Sequence, residues 1–275
     1  MLLNKFLKLF LVHVFFTFCM VGDSSQENLS LTKSEKQKLD KFKKSVSTIK
    51  FPQPWMKEDL NLLRYLRARV WDSQRAKDML TETVKWWRDY GMDNIHKEDW
   101  SKYEKEFPIY LDGVDTNGQP LFAFTFGEWD LRKAVVQGRL KGVIRWLFKR
   151  RDEVHKKVRD LQREGKINGT QWNFILNLDN FNSHQHLCAQ CLQLYTEWTG
   201  TYETHYPAGA DKIIIINSPA SFEIVLNLVR PLFSPSTRQA LKVLGPNKSE
   251  WSPILFSGID KDQLPENFGG TRHYN

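Results

Sequence analysis

Beyond Trp100 the sequence alternates short, almost uninterrupted apolar runs with long amphipathic stretches, and this alternation constrains the fold more than any other feature. The runs are Leu121-Phe122-Ala123-Phe124-Thr125-Phe126, Asn173-Phe174-Ile175-Leu176-Asn177-Leu178, Ile213 to Ile216, and Ile254-Leu255-Phe256. Four strands separated by helices predict an α/β sheet. Between them, apolar residues at three- and four-residue steps predict one helix over about 132–163, with Val136, Leu140, Val143, Leu147, Val154, Val158 and Leu161 facing inward. A second helix is expected over about 184–202, carrying Leu187, Cys191, Leu194, Tyr195 and Trp198.

Ahead of this lobe the pattern is helical. Leu60, Leu63, Leu66 and Val70 share one face, and Asp72 offers an N-cap for a following helix with Ala76, Met79, Leu80, Val84 and Trp87, ending near Gly91. Residues 23–50 are polar and Lys/Ser-rich. They read as a linker running into a short helix whose apolar positions are Leu39, Phe42 and Val46, with no core visible there. The first 22 residues place Lys5 and Lys8 at the start of an apolar run that extends to Phe18, the pattern of a secretory signal peptide or signal anchor; a cytosolic N-terminus is the alternative. The run is short for a membrane span, which needs about 20 apolar residues. Glycosylation acceptor sequences at Asn28, Asn168 and Asn247 matter only in a secreted chain. The expected divisions are thus 1–22 signal segment, 23–54 linker and short helix, 55–100 helical subdomain, 101–270 α/β lobe and 271–275 tail.

With 41% hydrophobic and 26% charged residues, neither disorder nor multiple membrane spans fits. The net charge of +8 suits an anionic membrane surface as well as nucleic acid. Its densest stretch, Arg139 to Arg163, interleaves Asp152, Glu153, Asp160 and Glu164, so a solvated helix face is the expectation and no nucleic-acid partner is.

The common catalytic signatures are missing: no nucleophile elbow, phosphate-binding loop, dinucleotide glycine fingerprint or H-E-x-x-H helix. Cys188-Ala189-Gln190-Cys191 has redox spacing but lies in a helical apolar stripe with no preceding strand, so packed free thiols are expected. His184 and His186 lack a third metal ligand and are assigned to a helix start or the surface; the acids Asp112, Asp115, Asp179 and Glu223 are scattered. No catalytic residue, metal site or cofactor is expected.

An ordered series of motifs resembles the Sec14-like (CRAL-TRIO) lipid-binding family. It begins with Leu62-Leu63-Arg64-Tyr65-Leu66-Arg67-Ala68-Arg69, Asp72 and Ala76-Lys77, and continues through Asp115-Thr116-Asn117-Gly118-Gln119-Pro120, Tyr206-Pro207, Ile215-Ile216-Asn217-Ser218-Pro219 and Phe222. It closes with Arg230-Pro231-Leu232, Thr237-Arg238, Val243-Leu244-Gly245 and Leu264-Pro265-Glu266-Asn267-Phe268-Gly269-Gly270. The series runs from about Trp55 to Gly270 and is most similar to the animal branch, without the C-terminal β-sandwich domain many of those members carry.

The resemblance implies an N-terminal helical subdomain followed by a sheet-and-helix lobe whose sheet floors a deep apolar pocket under a mobile lid. The lid falls on Ser221 to Leu232, with Phe222, Val225, Leu226, Val229 and Phe233 at helical spacing; read from spacing alone, they are core. The floor falls on Phe122, Phe124, Phe126, Trp172, Phe174 and Leu176, and candidate polar headgroup contacts are Arg69, Tyr110 and Thr237. Members that bind phosphatidylinositol carry a basic residue where this chain has Val70, Glu and often Arg at Ala208 and Gly209, and Lys at Ala240. A desolvated phosphate needs charge-assisted donors, so weak or absent phosphoinositide binding is expected.

The expected function is therefore non-enzymatic binding, and intermembrane transfer or presentation, of a sterol, tocopherol-like, isoprenoid or phospholipid molecule by a monomer in transient contact with a membrane surface. The alternatives are a protein-interaction module with a filled pocket, favoured by the bulk of Trp172 and Phe174, and then a phosphatidylinositol transfer protein. A lipid hydrolase or transferase is disfavoured by the missing nucleophile motif. Secretion is the expected localisation, with a cytoplasmic, peripherally membrane-associated protein as the alternative.

Overall fold

The structure, a computed structural model, describes residues 27–273. The signal segment expected over 1–22, the beginning of the 23–54 stretch and the last two residues of the tail lie outside the described residues.

The stretch expected to be a linker supplies a core helix. Helix α1 (Lys33–Ser45) starts with a reciprocal cap, the Thr32 side chain accepting from the Glu35 amide while the Glu35 carboxylate accepts from the Thr32 amide at 2.8 Å. Helices α2 (Asp59–Ala68) and α3 (Ser73–Asp89) follow, and Leu39, Phe42 and Val46 are fully buried among Leu62, Leu66, Ala76 and Leu80 from these two. Three apolar positions make a weak signal alone; complementary stripes on two further helices complete the core. Each such side chain contributes about 1.5–3 kcal/mol by leaving water.

Asp72 caps α3 as its position predicts, its carboxylate accepting from the Arg75 amide at 3.0 Å. Val70 leaves the stripe it was expected to join. The helix ends at Ala68, Val70 and Trp71 take left-handed φ of 52° and 64° to reverse the chain before the cap, and Val70 is 87% exposed.

After α4 (Ser101–Glu106) the lobe is built from β1 (Leu121–Thr125), α5 (Leu131–Val136), α6 (Leu140–Arg163), β2 (Trp172–Asn177), α7 (Ser183–His186), α8 (Cys191–His205), β3 (Ala210–Ile216), α9 (Glu223–Val229), α10 (Pro235–Ala240), β4 (Leu241–Val243) and α11 (Lys248–Leu255). The four strands are parallel in the order β1-β2-β3-β4. Side chains alternate across them: Phe122, Phe124, Phe174, Leu176 and Ile215 enter the main core on the front, while Leu121, Ala123, Ile175, Ile214 and Ile216 pack on the back against Trp251 and Leu255.

Three expectations are corrected. The run at 254–256 is no strand; Leu255 ends α11 one turn after Trp251, and so short an apolar run carries no period. The fourth strand is Leu241–Val243, hidden from pattern reading by its length and the exposed Lys242. The helix expected over 132–163 breaks at Gly138, whose φ of 67° suits glycine, and Val136 lies outside the stripe at 79% exposure. The helix expected over 184–202 is likewise broken, between His186 and Cys191.

Candidate functional site: an apolar cavity beside a polar cleft

The front of the sheet and α8 face each other across an apolar cavity of about 110 Å³, roofed by the segment Phe222–Phe233. Of the expected floor, Phe124, Phe126, Trp172, Phe174 and Leu176 border the cavity. Phe222, Val225, Leu226, Val229 and Phe233 border it from above, and Thr237 sits at its edge. Phe222, Val225, Leu226 and Val229 are buried and Phe233 partly so. Helix α9 places Val225, Leu226 and Val229 there by its 3.6-residue period, while Phe222 comes from the 3-10 turn at Ala220–Phe222 before it and Phe233 follows the one at Arg230–Leu232.

Three expected site residues lie elsewhere. Phe122 is on the same front face but fully buried to the side of the cavity, its ring 5.5 Å from Trp172 and 5.6 Å from Trp198. Tyr110 is on the back of the sheet, its backbone bridged to Ala123 and its ring 6.5 Å from Phe268, because its segment pairs with the outer side of β1. Arg69 borders an adjoining open cleft of about 1410 Å³ and donates to the Ala68 carbonyl at 3.2 Å.

That cleft begins where the cavity ends: Glu203, Ala210 and Phe233 border both. Its rim carries Arg69, Lys212 and Lys242, none of which pairs with a carboxylate among the described residues, and Arg64, which Glu27 engages at 2.6 Å. The positions where phosphoinositide binders carry charge also lie on it, as the uncharged Val70, Ala208 and Ala240. Gly209 has a local reason to stay bare, since a Cβ there would come within 2.5 Å of the His155 ring. That ring is buried, accepts from the Trp172 indole N–H at 3.1 Å, and is held neutral by desolvation, which drives its pKa well below the ordinary value.

Sequence reasoning missed the polar groups of α8. Steps of three and four from Leu194 and Tyr195 lead to Trp198, Thr199, Tyr202 and Glu203, so the stripe read as core continues into the cavity mouth. One carboxylate oxygen of Glu203 is buried with no hydrogen-bond partner among the described residues. Behind α8, Arg151 is fully buried, donating to the Trp198 carbonyl at 3.0 Å and to the Thr201 hydroxyl at 2.6 Å, its guanidinium 4.3 Å from the Trp198 ring. Desolvation lowers its pKa to about 10, which leaves it charged at neutral pH. It fastens α6 to α8 and fixes the cavity-lining Trp198.

His186, expected at a helix start or the surface, is fully buried at the end of α7 and interacts with the Trp129 carbonyl at 3.1 Å. Cys188 and Cys191, expected as free thiols, form a disulfide with their Cα atoms 4.9 Å apart, because the break before α8 turns Cys188 back toward Cys191. Among the described residues no cluster of three or more His, Cys, Asp or Glu side chains is placed to hold a metal ion.

The chain matches the CRAL/TRIO domain over residues 104–270 and the CRAL/TRIO N-terminal domain over 38–82. It is 26% identical over 259 residues to the SEC14 cytosolic factor of Kluyveromyces lactis, spanning 92% of this chain and 83% of that protein. It is 27% identical over 225 residues to the phosphatidylinositol/phosphatidylcholine transfer protein SFH7 of Arabidopsis thaliana, and 23% identical over 216 residues to a CRAL-TRIO domain-containing protein of Caenorhabditis elegans. Each match covers 78% of this chain, but only 39% of the plant and 30% of the nematode protein. The crystal structure of Sfh5 superposes with a TM-score of 0.68 over 89% of both chains at 16% identity, which establishes the shared architecture. From its helical N-terminal unit to the residues that close the lobe, the chain belongs to the CRAL/TRIO domain family, with a Sec14-like fold.

Proposed function

We propose that this protein binds a hydrophobic lipid non-enzymatically in the cavity under α9 and passes it to or from a membrane. The observation that carries the reading is the apolar cavity at the expected place, walled by the residues of floor and lid. A lipid chain crosses water at a cost of about 0.8 kcal/mol per exposed methylene, and an apolar enclosure removes that cost. The closed cavity is smaller than a lipid; a void of about 150 Å³ holds only a benzene-sized guest. Uptake therefore requires α9 to lift and Phe233 to swing aside, which joins the cavity to the cleft.

The lid's outer surface supports a membrane trigger. Ile224, Leu228 and Leu232 are 55%, 38% and 42% exposed, while Val225, Leu226 and Val229 face the cavity. A helix apolar on both faces belongs in an apolar medium on both, and a bilayer supplies it outside while the lipid supplies it inside. Arg230, Arg238 and Lys242 lie close in sequence to this surface; juxtamembrane cations contribute about 1 kcal/mol each on anionic lipid.

The polar end of the cargo falls at Thr199, Glu203 and Thr237, where one unpaired carboxylate oxygen favours a hydrogen-bond donor such as a sterol or tocopherol-type hydroxyl over a phosphate. The plant relative's name couples phosphatidylinositol and phosphatidylcholine; Val70, Ala208, Gly209 and Ala240 argue against phosphatidylinositol here. The yeast relative is named a cytosolic factor, which supports the cytoplasmic alternative over secretion; an N-terminus beginning at Met1 in cytosolic protein would exclude secretion.

The test is extraction of a fluorescent sterol from vesicles containing phosphatidylserine. We expect saturable uptake that Ile224→Glu/Leu228→Glu slows at least about fivefold with unchanged thermal stability. No uptake of sterol or phospholipid would favour the second reading, a protein-interaction module whose cavity is filled by the crowded Trp172, Phe174 and Trp198 rings.

A further inference from the structure

We propose that Cys188–Cys191 is a redox-active disulfide, opened by a dithiol reductant that attacks the sulfur of Cys188. The two sulfurs have opposite surroundings. Cys188 is partly buried, next to exposed Ala189 and Gln190, whereas Cys191 is fully buried. The amide of Cys191, the first residue of the fifteen-residue α8, donates to the Cys188 sulfur at 3.1 Å, and the Leu192 amide donates to the Cys188 carbonyl at 3.2 Å, so the Cys188 sulfur faces the N-terminal end of a helix whose cap position, Gln190, makes no side-chain hydrogen bond. An N–H aimed at sulfur at a helix N-terminus stabilises a thiolate. The Cys191 sulfur instead lies 3.7 Å from the Gln185 carbonyl oxygen, an acceptor that favours the protonated thiol.

The exchange proceeds in two displacements. One thiolate of the reductant attacks the Cys188 sulfur, the bond to Cys191 breaks, and Cys191 leaves with the electron pair and takes up a proton. The reductant's second thiolate then attacks its own sulfur in the mixed disulfide and expels the Cys188 thiolate. Two electrons pass to the protein, one proton of the reductant ends on Cys191 and the other in solvent, and the reductant departs as a cyclic disulfide. Leu194 and Tyr195, in the turn after the pair, border the cavity. The proposal does not depend on what the cavity holds.

The experiment uses the folded full-length chain. Aerobically purified wild-type protein is exposed to millimolar dithiothreitol without denaturant, alkylated, and the peptide 167–212 weighed, which separates the pair from Cys19. We expect the pair disulfide-bonded before treatment and doubly alkylated after it, with the circular dichroism of the folded state retained. In a Cys19→Ser background, Cys191→Ser should react with an aromatic disulfide reagent at neutral pH at least about tenfold faster than Cys188→Ser, since only the first exposes an activated thiolate. Two free thiols in the untreated wild type, a disulfide that opens only on unfolding, or a Cys188→Ser protein that reacts as fast as Cys191→Ser would each overturn the proposal. The wild-type measurement stands even if either variant fails to fold.

Discussion

Val225→Phe separates a cavity from a solid core by the sign of its effect. Val225 is 2% exposed and borders the 110 Å³ space from the lid side. In a close-packed interior the extra bulk would force neighbours off their rotamers and cost about 1–3 kcal/mol. Here the substitution adds roughly 50 Å³ of side chain; at about 24 cal/mol per Å³ of cavity removed, filling the space recovers roughly 1 kcal/mol. The net effect on stability should thus lie between neutral and a gain of about 1 kcal/mol, read as a shift of the urea midpoint with an unchanged denaturant slope. The same ring occupies about half of the void, so sterol uptake from vesicles should fall at least about tenfold. A loss of more than about 1 kcal/mol with sterol uptake intact would show that the residues under α9 are ordinary core and that the ligand, if any, sits elsewhere.

The remaining predictions concern the supports of the site. Arg151→Ala should cost about 2–4 kcal/mol, because it leaves the Trp198 carbonyl and Thr201 hydroxyl short of a donor and opens a void behind α8; a urea midpoint equal to wild type would contradict the bracing role. His96 lies 2.9 Å from Asp152 and 3.6 Å from Glu153, and hydrogen bonds to the two carboxylates raise its pKa from 6.5 to about 9. Its contribution to stability is fully present below 6.5 and is lost as pH rises through about 9, so His96→Ala should flatten the decline of stability across that window; parallel curves for the two proteins would refute it. His205 behaves oppositely. Desolvation lowers its pKa to about 3, so stability should fall with pH below 6.5 as the unfolded chain gains a proton that the folded chain refuses, and a folded-state titration of this ring near 6.5, followed by NMR, would contradict the burial.

The sheet-and-helix lobe was legible because its first three strands are apolar on both faces, and Phe174, Ile175 and Leu176 look like a strand whichever side is counted. The residues expected in the lid were legible as a stripe, and only the family resemblance reads them as a roof rather than core, since Val225 and Val229 have the same period in both roles. What escaped shares a cause: the decisive partner is distant in sequence. Leu39 and Phe42 become core only when α2 and α3 close over them, Tyr110 is turned to the back of the sheet by its pairing with Ala123, and Cys188 meets Cys191 because the helix breaks before it. Glu203 was invisible for a further reason: a carboxylate on a helix reads as solvent-facing, and only its neighbours reveal that one oxygen is enclosed without a donor.

Native mass spectrometry of the purified full-length protein, paired with organic extraction, tests the central claim most directly. The account predicts one small apolar molecule per chain, released on denaturation and absent from Val225→Phe. A wild-type protein that carries nothing, and takes up nothing when mixed with sterol- and phospholipid-containing vesicles, would contradict it.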